Sequence, residues 1–167
     1  MKKLTLILIF GSISFGLFSQ NFEVPKSYIL EKAEDYTQYE NDVVKCVDWL
    51  IANPINEQAS KRKEANAFLL KWLMGSPDIY IEIRQEIVTF QNSSPELLSI
   101  FMGGWAKYSI ENKDFDNKTL GSLAGIESVI EFYTKNKGLI SKDKNVEAYV
   151  KMKKKGTLKD YIEKNAN

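Results

Sequence analysis

The sequence predicts an all-α fold of about seven short helices, arranged as an orthogonal bundle or a solenoid-like stack behind a cleaved signal peptide. Apolar residues recur at three- and four-residue steps through most of the chain, which is the periodicity of helices with one buried face. Proline and glycine interrupt these stretches at short intervals, so each helix is short. The chain has one cysteine and therefore no intramolecular disulfide, so its stability must come from a packed core.

The first 19 residues have the order of a secretory signal peptide. A pair of lysines opens the chain, residues 4–18 are almost wholly apolar, and the sequence turns polar around Ser19. The apolar run is shorter than the ~20 residues that a membrane-spanning helix needs, and an uncleaved N-terminal anchor is the alternative. We expect cleavage after Ser19, which leaves one helical domain (20–167) without a transmembrane segment. That domain is expected to be exported, either to the periplasm or out of the cell.

Two helices are predicted in the first half of the exported domain. The first carries an apolar stripe from Tyr36 to Ile51 and ends before Pro54, because proline cannot continue a helix. The second runs from about Glu57 to Met74, and the glycine that follows ends it.

The next stretch, DIYIEIRQEIVTF (residues 78–90), has two competing patterns. Its isoleucines alternate like a strand at the beginning and follow helical spacing towards the end. Ser76 and Pro77 precede it, as an N-cap and a first-turn proline precede a helix. We therefore expect a helix here.

Four further helices complete the prediction. The second of them is apolar around most of its circumference and is therefore expected to be central. The last two are separated by Gly156, and Thr157 is expected to cap the final helix with Asp160 in the capping-box position. The sequence contains no second copy of a helical repeat of about 34 residues. A solenoid-like stack is therefore predicted from the order of the helices alone. The predicted positions are 95–112, 118–135, a helix around Val146–Val150, and one from Thr157 onward.

Glycines lie inside two of the predicted helices, where glycine costs about 0.5–1 kcal/mol relative to alanine. Gly103 and Gly104 precede Trp105, whereas Gly121 and Gly125 lie one turn apart on one helix face. We interpret them as close-packing positions at which the two helices approach more closely than the usual 8–10 Å, with Trp105 covering the contact. The alternative is a small apolar ligand carrier, which predicts a pocket of several hundred Å³, on the order of known ligand sites, beside Trp105.

Three segments of the chain carry a family resemblance: KRKEANAFLLKWLMGSP, PELLSIFMGGWAKY and LAGI, in this order. With them, roughly residues 36–162 resemble a set of uncharacterised small exported all-helical proteins of Bacteroidota. The glycine–tryptophan motif is the most distinctive part of the match. The resemblance implies export and an all-helical fold, and it supplies no catalytic residues.

Several chemistries are excluded or disfavoured by composition. The chain has no histidine, which excludes Ser-His-Asp and Cys-His catalysis and ordinary zinc sites. An EF-hand loop aligned from Asp114 would place Lys118, Thr119 and Gly125 where calcium binding needs an oxygen ligand, glycine and glutamate. We therefore expect no metal and no cofactor. Cys46 lies among apolar residues and is expected to be a buried, inert thiol.

Carboxylate pairs provide the enzymatic alternative. Glu82 with Glu86, and Glu127 with Glu131, are each four residues apart. A glycoside hydrolase acting on cell-wall polymers would use one such glutamate as a general acid. Lys135 follows Glu131 at the spacing that stabilises an exposed helix, which favours a solvated face instead.

Charge is distributed unevenly along the chain. The exported domain holds 21 basic and 22 acidic residues, a balance that argues against a nucleic-acid-binding protein. Residues 20–134 carry a net charge of −7, whereas residues 135–167 carry 10 lysines, 4 acids and a net charge of +6. The lysine-rich part either complements the acidic surface of the protein itself or contacts an anionic partner. Its densest lysines are Lys151, Lys153, Lys154, Lys155 and Lys159.

These observations predict an exported, non-catalytic helical binding protein. Its partner would be another protein or an anionic surface component such as a lipid headgroup layer or a cell-wall polymer. The glycoside hydrolase and the small apolar ligand carrier are the alternatives.

Overall fold

The computed structural model describes residues 22–90 and 94–166, and this part of the chain contains seven α-helices and no strand. The all-α prediction is confirmed. The signal peptide predicted for residues 1–19 lies outside the described residues. The helices are α1 (Ala33–Thr37), α2 (Glu40–Ala52), α3 (Ala59–Gly75), α4 (Pro95–Asn112), α5 (Lys118–Lys135), α6 (Lys144–Lys155) and α7 (Leu158–Asn165).

The helix predicted for residues 78–90 is wrong. Ile79 and Ile81 both lie against apolar side chains of α3 and α4, whereas Tyr80 between them is 73% exposed. This period-two alternation is that of an extended chain. In a helix, Ile79 and Ile81 would point about 200° apart, so only one of them could be buried. Burial of both side chains in the α3–α4 groove therefore outweighs the helix-start signal at Ser76 and Pro77.

Two smaller differences concern helix ends. The first predicted helix is divided by a turn at residues 38–39 into α1 and α2. Thr157 precedes α7, but its side chain does not cap the helix and forms no capping box with Asp160. Its hydroxyl instead lies 3.5 Å from the carbonyl oxygen of Met152. Gly156 ends α6 as predicted, in a left-handed conformation with φ of +72°.

The helices α4 and α5 form the centre of the fold and make its most extensive helix–helix contact. On one side α4 packs against α2 and α3, and on the other α5 packs against α6 and α7. The largest fully buried side chains are aromatic and come mainly from α3, α4 and α5: Trp72, Trp105, Phe68, Phe90, Phe101 and Phe132.

The α4–α5 contact leaves no room for a side chain at two glycines of α5. A Cβ atom on Gly125 would lie 2.8 Å from the carbonyl oxygen of Phe101 and 2.7 Å from its ring. A Cβ atom on Gly121 would overlap the indole ring of Trp105. Real Cβ atoms do not approach other atoms this closely, so the backbone of α5 lies directly on α4.

The two glycines of α4 face different neighbours. A Cβ atom on Gly104 would lie 2.6 Å from Cβ of Ser128 and 3.0 Å from the carbonyl oxygen of Ala124, both on α5. Gly103, expected in the same contact, faces the opposite way, and its added Cβ would lie 2.9 Å from a methyl carbon of Val47 on α2. The adjacent glycines therefore permit close packing on two sides of α4.

We expect Gly125→Ala to destabilise the protein. The new methyl group meets a backbone oxygen of α4 that cannot rotate away, and overpacking of this kind costs about 1–3 kcal/mol. This cost outweighs the gain of about 0.5–1 kcal/mol in helix propensity. Thermal unfolding should show a melting temperature lowered by about 2–4 °C per kcal/mol.

Thr134→Ala is the matched control, because Thr134 is an exposed position of the same helix. Its melting temperature should be unchanged or slightly raised, since alanine has the higher helix propensity. A Gly125→Ala protein that melts at or above the wild-type temperature would contradict the close α4–α5 contact.

Candidate functional site

The lysines singled out in the sequence are all exposed and lie on α6 and at the start of α7. Three of them fall in the last turn of α6, where the helix dipole favours positive charge. We call this surface the lysine face and define it by Lys151, Lys153, Lys154, Lys155 and Lys159.

Acidic side chains of the protein itself pair with only part of the lysine face. Lys153 lies 2.9 Å from Glu127 of α5, and Lys159 lies 3.6 Å from Glu163 of α7. Within the described residues, no acidic side chain lies within ion-pair distance of the other three lysines. The prediction that the lysines complement the protein's own acids therefore applies to two of the five. The remaining three, Lys151, Lys154 and Lys155, leave a positive surface open to solvent.

An apolar groove runs between α5 and α6 beside the lysine face. Ile130, which is 7% exposed, and the partly buried Val150 form its floor. Lys137, Lys153 and Lys154 lie around it, and the groove has a volume of about 300 Å³. This α5–α6 groove suits a ligand that has an anionic group next to an apolar part.

A polar cleft of about 340 Å³ lies between α2, α4 and α5, with Glu127 and Glu131 in its lining. Glu127 is paired with Lys153, and Glu131 lies 2.8 Å from Lys135. Their side chains are 44% and 56% exposed. A glycosidase acid keeps its proton through burial away from positive charge, so these glutamates have the opposite environment.

The other predicted carboxylate pair does not lie on a helix. Glu82 is in the extended segment, which we define as residues 78–84, and its carboxylate oxygens lie 2.8 Å from Nζ of Lys118 and 3.0 Å from Nε of Arg84. The hydrogen bonds from Lys118 and then from Arg84 lower the pKa of Glu82, despite the opposing effect of desolvation. This carboxylate is held in its ionised form, which is unsuited to donating a proton to a leaving group.

The single cysteine is in the core. Cys46 is completely buried, and its thiol lies 3.4 Å from the carbonyl oxygen of Ala65. Burial, assisted by the charge of Asp42, raises the pKa of the Cys46 thiol far above its ordinary value. A thiol that remains protonated is a poor nucleophile.

The described residues show neither a cluster of metal-binding side chains nor a helix that could span a membrane. No group of three or more acidic or cysteine side chains in residues 22–90 and 94–166 is placed to hold a metal ion. Asp114, the start of the EF-hand alignment, instead accepts hydrogen bonds from Tyr108 and Asn117 at 2.7 and 3.0 Å. None of the helices in the same residues has the length and apolarity needed to cross a bilayer.

The space around Trp105 is filled by the protein. Trp105 is 2% exposed, packs edge-on against Phe101 and contacts the backbone of Gly121. A smaller apolar pocket of about 190 Å³ lies elsewhere, between α3, α4 and the extended segment. Its lining includes Met74, Ile79 and Met102.

One buried arginine was not predicted from the sequence. Arg62 of α3 is 5% exposed, and its guanidinium donates hydrogen bonds to Glu96 of α4 at 2.9 Å and to three carbonyl oxygens. Those carbonyls end α2 and begin the following loop, at Leu50, Asn53 and Pro54. The guanidinium also lies near the rings of Trp49 and Phe132. The enclosed guanidinium therefore connects α2, α3, α4 and α5, and it cannot contact a binding partner of the protein.

The spacing of residues in α3 indicates that Arg62 is buried. Arg62, Ala65, Leu69 and Trp72 follow one another at three- and four-residue steps, so the apolar stripe of α3 extends back to Arg62. A cation on an apolar stripe indicates a buried charge with a partner.

We expect Arg62→Met to destabilise the protein by about 3–5 kcal/mol, because it removes the cation that pairs with Glu96 and the donor that the carbonyls at the end of α2 share. Replacing Glu96 as well, in Arg62→Met/Glu96→Leu, should recover part of this loss, since no uncompensated charge remains. Chemical denaturation measures both variants. Breaking an exposed pair with Lys135→Ala should change stability little, and an equally small effect of Arg62→Met would contradict the structural role of this network.

Comparisons with protein-family models, with curated proteins and with solved structures found no match.

Proposed function

We propose that this protein is an exported, non-catalytic binding module whose lysine face contacts an anionic lipid surface. The observation that carries the proposal is the set of three exposed lysines on α6 without an acidic partner among the described residues. The rest of the chain up to residue 134 has a net negative charge, so the excess of positive charge lies at one end of the sequence.

Electrostatic attraction between lysines and an anionic membrane is strong enough for reversible binding. Each lysine near an anionic membrane contributes about 1 kcal/mol, and the attraction fades within a Debye length of about 8–10 Å at physiological salt. Several lysines on one helix therefore support reversible association at low salt. A general polyanion would satisfy the same charges.

The α5–α6 groove favours a lipid over a purely polar polymer. Its floor of Ile130 and Val150 offers apolar contact beside Lys153 and Lys154. Deep insertion of α7 is not part of the proposal, because Leu158 and Ile162 are 3% and 0% exposed and belong to the core. The contact is therefore a charged surface with a small apolar groove.

The absence of catalysis is part of the proposal. It is supported by the lack of histidine and by the lysine partners of Glu127 and Glu131. The buried, protonated Cys46 supports it as well. Export is proposed from the signal-peptide pattern of residues 1–19.

The lipid proposal predicts salt-sensitive binding that depends on the unpaired lysines. The chain from Gln20 onward should co-sediment with vesicles of anionic phospholipid at about 0.05 M salt and lose this binding by about 0.3 M. Lys151→Gln/Lys154→Gln/Lys155→Gln should bind far less, because the charges that approach the surface are removed.

The matched control neutralises three exposed lysines elsewhere, in Lys26→Gln/Lys45→Gln/Lys63→Gln. It changes the net charge equally and should leave binding nearly intact. Equal losses in the two triple variants would show a general charge effect and overturn the lysine face as the contact site. Binding to a soluble polyanion but not to vesicles would identify a polymer partner instead of a lipid.

The export proposal predicts a processed protein. When the full chain is produced in a Gram-negative bacterial host, mass spectrometry of the envelope fraction should find a protein that begins at Gln20. Leu8→Arg interrupts the apolar run and should leave an unprocessed chain in the cytoplasm. A wild-type protein that keeps residues 1–19 and stays in the cytoplasm would contradict export.

A further inference from the structure

The loop between α5 and α6 carries an exposed leucine. Leu139 is 48% exposed, whereas the next residue, Ile140, packs against the core. The described residues contain five large hydrophobic side chains that are exposed, and Leu139 is the one that belongs to the lysine-rich part of the chain. A single exposed apolar side chain is common on protein surfaces, so its surroundings decide whether it indicates a contact.

The backbone of the loop holds Leu139 in a defined position. The carbonyl oxygen of Asn136 accepts hydrogen bonds from the N–H groups of Leu139 at 2.9 Å and Ile140 at 3.2 Å. Asn136 is fully buried, and its side chain accepts a hydrogen bond from the backbone of Ile55 at 2.8 Å. Gly138 permits the turn with a φ of +87°. Because the turn is already ordered, a contact through Leu139 costs little conformational entropy.

Positive charge surrounds Leu139. Residues 136–144 contain three exposed lysines: Lys137, Lys142 and Lys144. Glu147 of α6 offsets part of the charge of Lys137, from a distance of 3.4 Å. The acid within the loop, Asp143, is 5% exposed and accepts hydrogen bonds from the first turn of α6. An exposed leucine among lysines suits the boundary of an anionic lipid layer, where apolar side chains meet the acyl chains and lysines meet the headgroups.

The loop and the lysine face are joined by the exposed side of α6. Lys153 pairs with Glu127 of α5, and Glu147 accepts a hydrogen bond from Tyr133 of α5 at 3.1 Å, so α5 and α6 are antiparallel neighbours. The loop therefore lies at one end of α6 and the lysine face at the other.

A row of lysines runs along α6 between these two ends. Its members are all exposed and are seven and four residues apart, which places them on one side of the helix: Lys144, Lys151 and Lys155. At about 1.5 Å per residue, the row extends over about 17 Å. One lipid surface can therefore contact the row from the loop to the end of the helix.

We propose that Leu139 inserts into the lipid layer that the lysine face contacts, so that α6 lies along the membrane surface. This proposal rests on the proposed function, because the lysines bring the protein to the anionic surface before the leucine enters it. One leucine is too small for a lasting anchor, and the contact therefore remains reversible. No core residue has to leave its place, since Leu139 already lies outside the core.

Tryptophan fluorescence tests the insertion directly. The three native tryptophans are 2–4% exposed, so a change of emission on vesicle binding reports a tryptophan introduced at the surface. The emission of Leu139→Trp, in the chain from Gln20 onward, should shift to shorter wavelength when anionic phospholipid vesicles are added at about 0.05 M salt. Phospholipids brominated on their acyl chains should quench it. The control Ile29→Trp, at a position that is 60% exposed, should show neither change.

A second variant measures the contribution of the native leucine, because tryptophan itself favours membrane interfaces. Leu139→Ser should bind the same vesicles about five- to tenfold more weakly, since a partly exposed leucine gains part of its transfer free energy on insertion. Ile29→Ser should bind like the wild type. The melting temperatures of both serine variants should stay close to that of the wild type, because both positions are exposed.

The outcomes separate this proposal from the proposed function. Vesicle binding without a shift or quenching of Leu139→Trp, or with an undiminished affinity of Leu139→Ser, would overturn the insertion and leave the lysine face as the contact site. Undiminished binding of Lys151→Gln/Lys154→Gln/Lys155→Gln, together with quenching of Leu139→Trp, would overturn the lysine face and support the insertion. A wild-type chain that binds no anionic vesicles would overturn both.

Discussion

Where α4 and α5 cross, the backbone of one helix touches side chains and carbonyls of the other, because glycine occupies the positions that would hold them apart. Gly104 on α4 and Gly121 and Gly125 on α5 make this approach possible, and Trp105 and Phe101 fill the space beside it. The other helices pack on either side of this central pair. Moving α4 and α5 apart would therefore displace both the α2–α3 side and the α6–α7 side, including the lysine face.

The buried Arg62 network provides the second constraint, and it is electrostatic. The guanidinium satisfies carbonyl oxygens at the end of α2 while it pairs with Glu96 of α4. Because an unpaired buried charge is costly, these groups must come together for the core to close. Asn136 has a related role at the end of α5, where it is fully buried and accepts a hydrogen bond from the backbone of Ile55 at 2.8 Å. Polar groups thus join the loop after α2 to both central helices.

The proposed contact surface depends on charge that is held in place by the core. The lysine face consists of side-chain charges on the regular helix α6, so its strength depends on salt. Core contacts hold this helix, since Val146 and Tyr149 bury the inner side of α6. The packed core therefore fixes the direction in which the lysines of α6 point.

The sequence by itself determined the helical class, the ends of helices at glycine and proline, the burial of Cys46 and the concentration of lysine near the C-terminus. These properties follow from local periodicity and composition, which each segment carries alone. The tertiary structure decided that Ile79 and Ile81 extend along a groove formed by α3 and α4, although the residues before them resemble a helix start. It also decided that Gly103 faces away from α5 and that Arg62 is enclosed. In each case the deciding partner is distant in the sequence, so burial against that partner, and not local propensity, selected the conformation.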